Sequence, residues 1–103
     1  MIKFEEILRE KEITVLKKET GESESVCRWV VAALEAVDRC LKSNGTRMLP
    51  GAVVSIGMEI IDEIDHGTEP KKAASFVMSR QLSGMPMLML AVQNSVIAYL
   101  PAI

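Results

Sequence analysis

Residues 24–43, ESVCRWVVAALEAVDRCLKS, carry the clearest periodic pattern in the chain. Apolar residues recur there at spacings of three and four, which is typical of a helix that buries one face. The apolar stripe consists of Val26, Trp29, Val30, Ala33, Leu34, Val37 and Leu41. Arg28, Glu35, Arg39 and Lys42 lie on the opposite side. We therefore expect a helix packed against a hydrophobic core, with the large indole of Trp29 inside that core.

The segments on either side of this stretch predict further helices separated by short turns. They span residues 3–19, 50–65, 69–82 and 87–100. Gly21 suits the position after a helix end, Pro50 a first helical position and Thr68 an N-cap. The chain is therefore predicted to form one all-α domain over residues 1–103, a compact bundle of four to five short helices packed as a homodimer.

Two details of packing follow from the pattern. In the first helix Phe4, Ile7, Leu8 and Val15 share one face, and that face is predicted to point into the core. Gly57 lies inside the helix over 50–65, where glycine costs about 1 kcal/mol against alanine. We expect it to permit a close approach of another helix.

The composition excludes several classes of partner. The 103 residues include 12 basic and 14 acidic side chains, for a net charge of −2, so no nucleic-acid partner is expected. The apolar helix over 87–100 would reach about 21 Å, short of the roughly 30 Å of a bilayer core, so no membrane span is expected. Cys27 and Cys40 lie too far apart on one helix for a disulfide. With no export signal predicted at the N-terminus, the expected location is cytoplasmic.

The helix over 87–100 is apolar around its whole circumference. Eleven of its 14 residues are apolar, and such a helix must be covered on all sides. A second copy of the chain is the simplest cover, with burial inside one protomer or contact with a membrane surface as the alternatives. The predicted interface residues are Met87, Leu88, Leu90, Val92, Val96, Ile97 and Tyr99.

The last turns of the helix over 50–65 carry a cluster of acidic residues, here called the acidic corner, which is unfavourable at a helix C-terminus. Glu59, Asp62, Glu63 and Asp65 crowd its last two turns, where the helix dipole favours cations. One interpretation is a metal site with Glu59, Asp62, Glu63 and His66 as ligands. The Glu63-x-x-His66 spacing resembles that of di-iron carboxylate bundles, where both side chains face the metals.

The opposite interpretation of the acidic corner is electrostatic. Lys71 and Lys72 follow within the first turn of the next helix and are predicted to neutralise it. His66 is then a C-terminal cap of its helix, because that end favours imidazolium.

A second spacing suggests an enzyme. Glu35-x-x-Asp38 followed by Glu59-x-x-Asp62 resembles the paired carboxylates with which all-α nucleoside triphosphate pyrophosphatases hold magnesium. The resemblance implies a divalent metal cofactor at these four residues.

The rest of the sequence carries no nucleophile elbow and no glycine-rich phosphate loop. The favoured prediction is therefore a non-enzymatic interaction or adaptor module without a cofactor. Its expected partner is itself, with another protein as a further partner. The alternative is a metal-dependent all-α enzyme using Mg²⁺, Mn²⁺ or iron, such as a nucleoside triphosphate pyrophosphatase-like hydrolase.

Overall fold

The structure is a computed structural model in which residues 3–103 are described. It contains the helices α1 (Phe4–Thr20), α2 (Glu24–Ser43), α3 (Ala52–Asp65), α4 (Pro70–Gln81) and α5 (Pro86–Ser95), followed by a 3₁₀ turn (Ile97–Tyr99). No strand occurs in this part of the chain. Its radius of gyration of 13.0 Å is that of a compact domain of this size. The prediction of a compact all-α bundle is confirmed.

Helices α2 and α3 occupy the centre of the bundle. Helix α2 packs against α1, α3 and α5, while α3 packs against α1, α2 and α4. The apolar stripe predicted on α2 faces this centre, and Trp29 lies in the core as expected. The largest fully buried side chains are Leu16, Leu34, Ile60, Ile61 and Met78. The core is therefore aliphatic, with the indole at its edge.

Some helix ends have the capping residues that the sequence predicts, and others do not. Gly21 adopts a left-handed φ of 72° after α1, and the side chain of Ser23 accepts a hydrogen bond from the Val26 amide at the start of α2. The predictions for Pro50 and Thr68 are wrong. Gly51, with a φ of 80°, precedes the first residue of α3, and α4 begins at a proline that suits the first helical position itself.

Helix α1 buries the face opposite to the one that was predicted to enter the core. Phe4, Ile7 and Leu8 lie at the surface, and Val15 is exposed as well. The buried residues of α1 are Ile13 and Leu16, on the opposite face. The prediction is wrong because it considered only the face with the most apolar residues, whereas packing selects the face that fits α2 and α3.

Gly57 explains this fit. A Cβ atom at this position would lie 3.1 Å from Cδ1 of Leu16 and 3.3 Å from Cγ1 of Val30. Both side chains are fully buried. At Gly57 they pack directly against the backbone of α3, because glycine has no side chain. The close approach predicted for Gly57 is confirmed.

The C-terminal segment is not one continuous helix. Helix α5 ends at Ser95, the backbone turns at Val96, and a 3₁₀ turn follows. The predicted helix over 87–100 is therefore wrong in its last third. Tertiary hydrogen bonds hold the segment instead: Nε1 of Trp29 donates to the carbonyl oxygen of Pro101 at 2.7 Å, and Nζ of Lys71 donates to that of Ala98 at 3.2 Å.

Candidate functional site

The acidic corner of α3 faces a cation from α4. Oε1 of Glu63 lies 3.5 Å from a guanidinium nitrogen of Arg80, and Oε1 of Glu59 lies 3.8 Å from one. Oε2 of Glu59 also accepts a hydrogen bond from Nε2 of Gln81 at 3.0 Å. The cation that offsets Glu59 and Glu63 is therefore Arg80 in the last turn of α4, where a positive charge also suits the helix dipole.

Lys71 and Lys72, which were expected to neutralise the acidic corner, do not pair with its carboxylates. Among the described residues neither Lys71 nor Lys72 forms an ion pair, and Lys71 donates to the backbone near the C-terminus. The prediction of a pairing across the α3–α4 turn is wrong, because the packing of α4 against α3 brings Arg80, and not the lysines of the first turn, to Glu59 and Glu63.

Asp62 and His66 form a separate contact at the end of α3. Nδ1 of His66 lies 2.7 Å from the carbonyl oxygen of Asp62 and 3.6 Å from its carboxylate. The hydrogen bond to this carbonyl, followed by the charge of the Asp62 carboxylate, raises the pKa of His66 above its ordinary value. His66 is the C-cap of α3, as predicted.

Glu35 and Asp38 are held by partners of their own. Both carboxylate oxygens of Glu35 lie 3.0 Å from Nε of Arg9 on α1. Asp38 accepts a hydrogen bond from the Met48 amide at 2.9 Å and pairs with Lys42 at 3.0 Å. Burial raises the pKa of Asp38, but the bonds from the Met48 amide and Lys42 outweigh it and hold the pKa below its ordinary value.

The four carboxylates of the pyrophosphatase-like spacing do not converge. Glu35 pairs with α1, Asp38 holds the loop after α2, Glu59 faces α4 and Asp62 faces solvent beside His66. Across residues 3–103, no group of three or more histidine, cysteine, aspartate or glutamate side chains is arranged to hold a metal ion. The geometry thus assembles neither predicted metal site.

The two thiols are separate and unpaired. Cys27 is buried and Cys40 half-buried, and both are free. Burial raises the pKa of Cys27 above its ordinary value, so the thiol form is favoured. A buried thiol of this kind behaves as a small apolar core residue.

The predicted interface residues divide into three groups by exposure. Val92, Val96 and Ile97 are buried in the core of the protomer itself and are not available to a partner in this arrangement. Met87, Leu90 and Tyr99 lie at the surface with exposed fractions of 78%, 51% and 80%. Leu88 is half-buried against the core. The available part of the predicted interface is therefore the outer side of α5 and the 3₁₀ turn.

A second apolar surface is the outward face of α1, which sequence reasoning placed in the core. Its exposed side chains are Phe4, Ile7, Leu8 and Val15. The signal that could have revealed it is the presence of Ile13 and Leu16 on the other face, opposite the small residue Gly57 of α3.

Comparison with known proteins provides no family for this chain: no protein-family model, no curated protein and no solved structure matches it. Among the described helices none is both long enough and apolar enough to cross a bilayer.

Proposed function

We propose that this chain is a small non-enzymatic interaction module of the cytoplasm that self-associates as a homodimer through its C-terminal surface. This surface consists of the exposed side chains of Met87, Leu90 and Tyr99, with Leu88 at its inner edge. The observation that carries the proposal is their exposure after the rest of the C-terminal segment has packed onto the protomer. Met87 and Leu90 are three positions apart on α5 and so share a face, and exposed apolar side chains on one face are typical of contact sites.

The charge pattern supports a second copy as the occupant. Residues 82–103 contain no aspartate, glutamate, lysine or arginine, whereas the rest of the chain carries all 26 charged side chains. In a twofold dimer the same patch of each subunit meets its own copy, so a charged patch tends to bring like charges together. An uncharged patch avoids this repulsion. The C-terminal segment therefore brings no like charges of its own to such a contact, and the nearest cations are Arg39, which lies beside Tyr99, and Lys71, which donates to the Ala98 carbonyl oxygen.

The outward face of α1 is the competing surface and is less suited to self-pairing. Lys11 lies on the same face, between Leu8 and Val15 in helical position. An isologous contact here would enclose the lysine of each subunit in one interface, and burying unpaired charges is costly. The C-terminal surface is the better candidate on this ground.

The metal-dependent hydrolase is not proposed, because no observation favours it. Its carboxylates are engaged by Arg9, Lys42, Arg80 and His66, and by the Met48 amide, on different sides of the molecule. A divalent ion at these positions would have to displace several of these contacts and bring side chains of different helices together.

Sedimentation velocity and light scattering over the micromolar range test the proposal. The wild-type mass is expected to rise with concentration from 11.4 kDa to twice that value. Leu90→Glu, which introduces a charge at an exposed α5 position, is expected to keep the chain monomeric. The matched variant Leu8→Glu introduces the same charge on α1 and is expected to leave the dimer intact.

Two results would overturn the proposal. One is a wild-type protein that stays monomeric throughout this range. The other is a dimer abolished by Leu8→Glu and not by Leu90→Glu, which would move the interface to α1. Circular dichroism of each variant shows whether it retains the helical fold, so that a loss of association is separated from unfolding.

A further inference from the structure

A partly enclosed cavity of about 250 Å³ lies at the end of the bundle opposite the α1–α2 and α3–α4 turns. Its walls are the last turn of α2, the loop that leads into α3, the first turns of α3 and α5 and the last turn of α4. Asp38 holds this loop in place through its hydrogen bond to the Met48 amide. The loop is not helical, but this hydrogen bond lets it form an ordered wall of the cavity.

The lining is apolar and adaptable. Nine of the twelve residues around the cavity are apolar, and three of these are Met48, Met78 and Met85. Methionine side chains are flexible and polarisable, so they adjust to ligands of irregular shape. An apolar cavity of roughly 150 Å³ holds one benzene ring, so this cavity holds an aliphatic or aromatic group of up to about ten carbon atoms.

The residues that line the cavity include one cation and no acidic residue. Arg47 is the single charged member of the lining, with Thr46 and Gln81 as the uncharged polar members. In the described part of the chain Arg47 forms no ion pair, and its side chain is exposed. The side-chain amide of Gln81 already donates to Glu59. Arg47 is therefore the single cationic residue that the lining offers to a ligand.

The nearest acid along the chain, Asp38, is close enough for the charge of Arg47 to help lower its pKa, but the two side chains form no ion pair. Asp38 uses one carboxylate oxygen for the Met48 amide and the other for Nζ of Lys42. A guanidinium fork matches the two oxygens of a carboxylate, and the pairing is stronger where apolar groups exclude water from one side. The charge and the lining together favour a ligand with an apolar tail and an anionic head.

We propose that this cavity binds a small carboxylic acid with an apolar tail, such as a medium-chain fatty acid. The tail lies among the methionine and leucine side chains, and the carboxylate lies at the guanidinium of Arg47. The cavity adjoins the proposed dimer surface at Leu88, which lines it, but the exposed side chains of Met87, Leu90 and Tyr99 are not part of the cavity lining, so ligand binding and self-association can be tested separately.

Titration with octanoate, followed by backbone amide NMR, tests this proposal. Octanoate is expected to shift the amide signals of residues 46–49, 51–52 and 87–89 in a saturable manner. Octanol has the same tail without the charge and is expected to bind about fivefold more weakly, the ratio appropriate to a partly exposed ion pair. Octylammonium is expected to bind more weakly still.

Three variants connect the binding to this cavity. Arg47→Gln is expected to lower the octanoate affinity to that of octanol, and Arg39→Gln, which removes an exposed cation from α2 outside the cavity, is expected to leave it unchanged. Ala52→Leu fills part of the cavity and is expected to weaken octanoate and octanol alike.

The proposal fails if octanoate produces no saturable shift at millimolar concentration, or if Arg39→Gln and Arg47→Gln reduce its binding equally. It also fails if the cavity signals shift with protein concentration and not with octanoate, because a side chain of the second copy then fills the space. Self-association measured by sedimentation is unaffected by the first two results, so the two proposals can fail separately.

Discussion

A Cβ atom at Gly57 would lie 3.1 Å from Cδ1 of Leu16, which places the backbone of α3 directly against a fully buried side chain of α1. This contact determines which face of α1 enters the core. Because glycine leaves room for Leu16, the side of α1 that carries Leu16 and Ile13 packs inward. The more strongly apolar side of α1 then remains at the surface.

We expect Gly57→Ala to destabilise the protein, although alanine is the better helix former by about 1 kcal/mol. The added methyl group would meet Leu16 and Val30 at 3.1–3.3 Å, and both side chains are fully buried, so they would have to shift within the packed core. Overpacking of this kind costs about 1–3 kcal/mol, so a net loss of about 1 kcal/mol is expected. Urea unfolding followed by circular dichroism measures it.

Gly84→Ala is the matched control for this substitution. A Cβ atom at Gly84 would have no heavy atom within 4 Å, and the residue lacks a positive φ, so alanine fits there. Its unfolding midpoint is expected to stay the same or rise slightly. A Gly57→Ala protein as stable as this control would show that α1 and α3 are not in close contact.

Arg80→Gln is expected to weaken the protein by a few tenths of a kcal/mol up to about 1 kcal/mol. The guanidinium lies 3.5 Å from Glu63 and 3.8 Å from Glu59, and all three side chains are partly exposed, which limits the contribution of each ion pair. The loss should shrink as salt is added, because salt screens exposed charges. Thermal unfolding at low and high ionic strength checks both points.

Lys72→Gln provides the control for the removal of one positive charge from α4. Lys72 forms no ion pair among the described residues, so its replacement should leave the unfolding temperature nearly unchanged. Equal losses for the two variants would mean that only the net charge matters and that the contact of Arg80 with the acidic corner contributes nothing.

His66, the single histidine of the chain, is expected to titrate with a pKa above 6.5, which NMR of its ring protons can follow directly. Since the pKa is raised in the folded state, the stabilisation is fully present below the unfolded pKa and is lost as the pH rises through the folded pKa. Asp62→Asn removes the carboxylate but keeps the backbone carbonyl. The pKa should then fall partway toward its ordinary value.

A titration at or below the ordinary value in the wild-type protein would contradict the contact between His66 and Asp62. His66→Gln supplies a second readout. Its stability relative to wild type should be lower at pH 5 than at pH 9, because only the protonated ring of the wild type gains from the nearby charges.

The candidate site was predictable only in its local parts. The position of His66 as a helix cap follows from its place after α3 in the sequence, since a cap interacts with carbonyl groups of its own helix. The pairing of Glu63 with Arg80 could not be predicted in the same way, because 17 positions separate the two residues and only the packing of α4 against α3 brings them together.

The amino-acid sequence by itself determined the helical elements and the buried stripe of α2, because spacings of three and four place residues on one helical face whatever surrounds the helix. Only the tertiary structure decided which face of α1 is buried, where α5 ends and whether the carboxylates meet. These outcomes depend on how side chains of different helices fit together: Leu16 against Gly57, Trp29 against the carbonyl of Pro101, Arg9 against Glu35. Such contacts have no period along the chain, so helical spacing alone does not reveal them.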